Sequence, residues 1–297
     1  MKIKLLLAIL FFITSFVNSN AQQDVNGWYW LNGKPTGSTL NWVKVIDAST
    51  IYAVGARGTF MKSTDGGDTW SINSQVGSVY PGPDGHRQTL PLNTGWFFNA
   101  STGIVAGQSV SSSIGTISRT TDGGNTWNYI QYNDTGGTIK SMYFINSNTG
   151  YFTGSGRARF FKTTDGGLTW QDQSFSPLVP ANTYSGVFAT DTSNIYLSAE
   201  TNPVKKVYYH KPGMDSAWKE WSLPGTFSVL SDITFKDANT GYVSGNPNYF
   251  AYTTNAGNNW TQSNAPSSNP QRDLDYDGGY IYSAGDYTNI YKSSDNG

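Results

Sequence analysis

The 297-residue chain carries 19 Lys and Arg against 20 Asp and Glu, and only 13% of its residues are charged, so no basic surface for nucleic acid is indicated. Cysteine is absent, which excludes disulfides, thiolate metal sites and cysteine nucleophiles and leaves burial to hold the fold. Aromatic residues reach 15% beside 33 glycines, a composition that suits many short strands with rings packed between sheets.

Met1-Lys2-Ile3-Lys4 places two positive charges ahead of an apolar run from Leu5 to Val17, and Ser19-Asn20-Ala21 supplies small residues after it. This reads as a secretory signal peptide over residues 1–21, cleaved after Ala21, whose apolar run is too short to span a bilayer. The expected location is outside the cytoplasm: secreted, periplasmic or at the cell surface. Residues 22–297 read as a single all-β domain, since closed β architectures often exceed the usual one-domain length.

One motif recurs along this domain: Ser63-Thr64-Asp65-Gly66-Gly67-Asp68-Thr69-Trp70, then 120–127 ending in Trp127, then 163–170 ending in Trp170. A weaker copy, Thr253-Thr254-Asn255-Ala256-Gly257-Asn258-Asn259-Trp260, follows, and the chain stops inside a fifth, Ser293-Ser294-Asp295-Asn296-Gly297. The second residue after the acidic position is glycine in every copy, which marks the position most in need of positive φ. Asp65, Asp122, Asp165, Asn255 and Asp295 are placed to fold a side-chain oxygen back onto turn N–H groups. The motif, with Gly67, Gly124, Gly167, Gly257 and Gly297 and the Trp residues that follow, is therefore read as a structural hairpin.

Upstream of the turns lie pairs of strands joined by a polar turn, as in Phe144–Gly154 and Phe235–Gly245, each containing Gly-Tyr-x-x-Gly. Adding the strand before the turn and the Trp strand after it gives four antiparallel strands per unit. The unit length matches the ~40–50 residues of a propeller blade. Six blades are expected, at about 40–70, 91–127, 139–170, 184–221, 231–260 and 272–297. The fourth has lost its turn motif, and either Trp218 or Trp221 starts its last strand. Trp28 to Leu31 resembles a blade-ending strand that the sixth unit lacks, so it is expected to pair with Asn289 to Lys292 and close the ring. The stop in mid-motif suggests a fragment, with a seventh blade or a C-terminal sorting domain as alternatives for a longer protein.

These repeats resemble the Asp-box, or bacterial neuraminidase repeat, β-propellers, and Gly-Tyr-x-x-Gly with Lys-Thr-Thr-Asp-Gly-Gly-x-Thr-Trp most resembles the photosystem II stability and assembly factor propellers. The opening Trp28–Leu40 also resembles exported bacterial surface propellers. The resemblance implies a protein- or glycan-binding assembly module, with a sialidase- or xyloglucanase-like glycoside hydrolase as the alternative. The residues weigh against the enzyme. There is no Arg-Ile-Pro motif of the sialidases, and Arg119 stands at the framework position of Lys62 and Lys162. A glycosidase needs two carboxylates across a cleft, and no pair among the aspartates is marked out by local sequence. Glutamate occurs only at Glu200 and Glu220.

Asp273-Leu274-Asp275-Tyr276-Asp277-Gly278 imitates the start of a calcium loop, but Ala284 stands where the bidentate glutamate should be. The segment reads better as a strand aligned with Ile233 and Phe235. His86 and His210 are isolated, so no catalytic residue, metal or cofactor is assigned. If a turn motif joins strands three and four, the hairpin between strands two and three emerges at the opposite end together with the linkers between blades. The long connections fall there, over 71–94, 108–116 and 171–183, and function concentrates on such loops. That face is the expected binding surface for a protein or carbohydrate, with Arg57, Arg157, Arg159, Glu200, His86 and Arg87 as candidate residues. Only Arg57 closely matches the arginine-bearing surface that the photosystem assembly propellers imply.

Overall fold

The computed structural model describes residues 28–30, 36–74, 76, 79–81, 87–108, 116–130, 137–155, 159–173, 183–199, 206–210, 218–247, 249–264, 269–277, 279–286 and 289–295. Six four-stranded antiparallel sheets form a ring. After β1 (Trp28–Trp30), the first blade comprises β2 (Leu40–Val45), β3 (Ile51–Gly55), β4 (Thr59–Ser63) and β5 (Ser71–Asn73). A small hairpin follows, β6 (Val79–Pro81) with β7 (Arg87–Thr89), where the sequence suggested only a linker. The second blade is β8 (Leu92–Phe97), β9 (Gly103–Gly107), β10 (Thr116–Thr120) and β11 (Asn128–Ile130). The third is β12 (Ile139–Phe144), β13 (Gly150–Gly154), β14 (Arg159–Thr163) and β15 (Gln171–Asp172). The fourth is β16 (Tyr184–Ala189), β17 (Ile195–Ala199), β18 (Lys206–His210) and β19 (Lys219–Ser222). The fifth is β20 (Val229–Phe235), β21 (Gly241–Asn246), β22 (Tyr249–Thr253) and β23 (Thr261–Asn264). The sixth is β24 (Gln271–Asp277), β25 (Tyr280–Gly285) and β26 (Asn289–Ser293).

The missing fourth strand of the sixth blade is β1, which pairs antiparallel with β26 through Trp28↔Ser293, Tyr29↔Lys292 and Trp30↔Tyr291. The expected closure by the first residues of the domain is therefore present, and it removes an open sheet edge. The position of each strand in its blade explains its composition. Second strands such as Ile51–Gly55 and Gly103–Gly107 are buried at every residue because neighbouring blades cover both faces. Outer strands such as Ser71–Asn73 lie towards solvent, with even Ile72 exposed. Between blades the core is aromatic: Tyr52 stacks on Phe97 of the next blade at 3.8 Å, and Phe188 on Phe235 at 5.4 Å. In the fourth blade the residue that stands in for the turn tryptophan is Trp218. It precedes Lys219, which pairs with Tyr209 as Ser71 pairs with Lys62, and it meets Phe160 edge-on as Trp127 meets Phe60. Trp221, further along β19, packs against Tyr196 and Tyr209. Among the described residues, no helix is long and apolar enough to cross a membrane.

Candidate functional site

The repeated turns join third to fourth strands, and their polar groups are consumed internally. In the second blade, Asp122 accepts from the Thr126 N–H (2.9 Å), the Thr126 hydroxyl (2.6 Å) and the Thr120 hydroxyl (2.8 Å), while the Gly124 N–H donates to Thr120 Oγ1 (3.0 Å). Asp65, Asp165 and, with fewer bonds, Asn255 repeat this arrangement. Hydrogen bonds, first from the Thr69 and Thr126 hydroxyls, hold the Asp65 and Asp122 carboxyls down at about 2. Trp70, Trp127 and Trp170 each donate their indole N–H back to the carbonyl of Gly67, Gly124 or Gly167. Asp295 accepts from the Ser293 hydroxyl at 2.6 Å.

Both glycine positions of the turn take positive φ, for example 72° at Gly123 and 90° at Gly124, and Ala256 occupies the first position at 57°. Backbone conformation alone therefore does not single out the second position, contrary to the sequence expectation. The difference lies in packing. A Cβ on Gly124 would sit 2.4 Å from the Phe60 ring of the previous blade, on Gly167 2.3 Å from Ile104, and on Gly257 2.3 Å from Trp221. The second glycine lets the turn lie flat on the adjacent blade.

Each inner strand begins at the face opposite these turns. There Arg57 lies exposed in a 3-10 turn, Ala56–Gly58, with φ of 56°. The hairpin β6–β7 is fastened to it: Thr89 Oγ1 donates to the Arg57 carbonyl at 2.7 Å, and the Val76 N–H donates to the Gly58 carbonyl. The strand carrying Arg87 is thereby set beside Arg57. Arg159 begins β14 at the same end, opposite Gly154. The segment 1–21, Leu31, His86, Arg157, Glu200 and Gly297 lie outside the described residues.

The centre of this face holds residues that the sequence did not single out. Every inner strand carries a register shift at its start, between Leu40/Trp42, Leu92/Thr94, Ile139/Ser141, Tyr184/Gly186, Leu230/Asp232 and Gln271/Asp273. Such bulges leave one residue out of the pairing and re-aim its side chain. The six skipped residues, Asn41, Asn93, Lys140, Ser185, Ser231 and Arg272, together line a cavity of about 80 Å³ at the mouth of the central axis. Asn41 and Asn93 donate their amides to the carbonyls of Leu92 and Ile139 in the next blade, both at 2.8 Å. Arg272 holds Asp286 through two bonds of 3.0 Å. The signal in the sequence was a polar residue near the start of each inner strand, second in five of them and third in β20, legible only once the bulge is known.

Deeper along the axis the acidic residues of β24 meet Asp232 of β20. Their carboxylates accept from inner-strand N–H groups of the next blade: Asp232 from Leu274 (3.0 Å), Asp273 from Val43 (2.9 Å) and Asp275 from Val45 (3.2 Å). Inner strands have one edge without a neighbouring strand, and these bonds satisfy buried donors on it. Lys44 bridges Asp275 at 2.9 Å and lies 4.5 Å from the Trp96 ring centroid. Asp232 and Asp273, 5% and 7% exposed, hydrogen-bond to each other. Burial pushes Asp232 up to about 7 and Asp273 also well above the ordinary carboxylate range, with mutual repulsion adding to the latter. Trp96, Tyr143 and Phe188 crowd the same level and leave a space of about 20 Å³, room for about one water. The segment read as a strand rather than a calcium loop is thus β24. Among the described residues, no three His, Asp or Glu are arranged to hold a metal ion.

A six-bladed β-propeller with a polar axial mouth is the class of protein that this geometry defines. Solved structures similar to it include YCF48 bound to D1 peptide, at 14% identity and a TM-score of 0.62, covering 92% of this chain and 97% of that one. YCF48 from Cyanidioschyzon merolae matches at 15% identity and a TM-score of 0.61, over 90% of this chain and 98% of that one. A GH74 enzyme from Niastella koreensis matches at 17% identity and a TM-score of 0.55, over 88% of this chain but 46% of its own. At these identities the likeness shows the fold alone. No family model matches the sequence, and no curated protein does.

Proposed function

We propose that this is an exported, non-enzymatic propeller of the Asp-box type, which binds a partner polypeptide on the face opposite its repeated turns. The observation that carries the reading is that the Arg57 turn with its fastened hairpin and the polar axial mouth lie at that one end. The turn face, in contrast, uses its carboxylates internally. The likeness to YCF48, whose structure holds a D1 peptide, favours a polypeptide over a glycan as ligand. Against hydrolysis stands the geometry of Asp232 and Asp273. Glycosidase carboxyls are separated by about 5 Å or more so that a sugar and water fit between them, whereas these two are in mutual contact and sealed onto backbone N–H groups.

The test is selection of ligands from a displayed library of random linear peptides. Replacing Arg57 and Arg157 together by Ala should weaken the selected acidic peptides about tenfold or more, the scale of losing charge-assisted hydrogen bonds, with the melting temperature unchanged. Binding as tight as the parent at low and moderate salt would remove the arginines from the site. Hydrolysis of an oligosaccharide, lost on replacing Asp232, would overturn the non-enzymatic reading.

A further inference from the structure

The closure of the ring decides which bulge residues face one another. Inner strands contact their neighbours in chain order, and the sixth returns to the first, so the third and sixth blades stand on opposite sides of the axis. Lys140 is the bulge residue of the third blade and Arg272 that of the sixth. The two cations therefore line one small cavity from opposite sides, with the amides of Asn41 and Asn93 along one arc and the hydroxyls of Ser185 and Ser231 along the other. The amide nitrogens are committed to backbone carbonyls, and Ser185 to Ser198. Arg272 is already paired with Asp286, and an anion on the axis between the two side chains would be attracted by both cations.

The size and floor of the cavity narrow the choice of anion. About 80 Å³ admits a carboxylate with little of the group that bears it. Below the mouth, Asp232 and Asp273 are turned onto N–H groups of the neighbouring blades. Burial disfavours the charged form of both carboxyls, which limits their opposition to an entering anion. At the rim, Asp286 offsets part of the charge of Arg272.

We propose that the axial mouth is a carboxylate-binding site that holds the chain end or an acidic side chain of a partner polypeptide between Lys140 and Arg272. This rests on the reading of the face as a polypeptide-binding surface and adds the group that is recognised.

The probe is an N-acetylated oligoglycine with a free carboxyl end, compared with its C-terminal carboxamide and with acetate. The readouts are affinity and the side-chain amide NMR signals of Asn41 and Asn93. The acid should bind and shift both amide signals, and the carboxamide should not. Lys140→Met should weaken the acid about tenfold or more, Lys140→Arg should restore it, and Asp286→Asn should tighten it by releasing Arg272, all with parent-like melting temperatures. Equal binding of acid and carboxamide, no binding of either, or an unchanged affinity in Lys140→Met would overturn the site. If Asp286→Asn failed to tighten binding, the bridging role of Arg272 would fall. Acetate binding as tightly as the peptide acid would overturn the polypeptide as its source. Library-selected peptides that need Arg57 but ignore Lys140 would sink the mouth while leaving the binding face standing.

Discussion

Replacing Asp232 by Asn should make the protein more stable at neutral pH and nearly leave it alone in mild acid. Asp232 sits in the seam between the fifth and sixth blades, 5% exposed, accepting from the Leu274 N–H at 3.0 Å and bonded to Asp273. Burial raises its carboxyl from the ordinary 3.8 to about 7. A carboxyl whose folded pKa lies above its unfolded value favours the folded state fully only below the unfolded value. Its contribution is then lost as pH rises towards the folded value, because the unfolded chain releases the proton first. Over this window of about three units, at about 1.4 kcal/mol per unit, the loss comes to about 4 kcal/mol. Asparagine removes the ionisable group while keeping an acceptor: its oxygen can accept from the Leu274 N–H and from Asp273, and it has no proton to lose. The assay is denaturant unfolding of both proteins from about pH 4 to pH 8. The stability difference should grow steadily in favour of the variant and level off near pH 7. Parallel profiles for parent and variant would refute the reasoning. Asp65 and Asp122, held at about 2, act in the other sense. Their contribution is present above about 3.8 and lost as pH falls towards 2, so both proteins should share the acid limb.

Gly124→Ala should cost about 2–3 kcal/mol in denaturant unfolding, combining a strained φ of 90° with a Cβ pressed 2.4 Å from the Phe60 ring. Gly123→Ala should cost less, since Ala256 already fills that position in the fifth blade; equal losses would remove the packing argument. Deleting residues 28–30 should expose β26 as a free edge and give a lower melting temperature with concentration-dependent association in sedimentation. A monomer as stable as the parent would show that the ring closes without β1.

The fold was legible because its signals are local and repeated: a pair of strands, twice of the form Gly-Tyr-x-x-Gly, a strand ending in two hydroxyl residues and a glycine turn recur in register. The closure by β1 could be read because its tryptophans copy the strand that the sixth unit lacks. The axial mouth could not. A bulge skips one residue without changing the composition of the strand, so Lys140 and Arg272 look like ordinary exposed positions until the pairing register is known. Asp232 and Asp273 were hidden for a related reason. They come from different blades, and their contact depends on the order of inner strands around the axis, which no local pattern encodes. Glycine in the repeated turns was read as a conformational requirement, whereas the aromatic residue or isoleucine that it must accommodate belongs to the previous blade.

The most direct measurement of the central claim is hydrogen exchange of the protein alone and saturated with a library-selected peptide. A partner on the face opposite the turns should slow exchange at the starts of the inner strands, around 39–42, 91–94 and 138–141, and in the Arg57 turn, while the turns at 63–70, 120–127 and 163–170 exchange as before. Protection confined to those turns, with the axial mouth unaffected, would contradict the account.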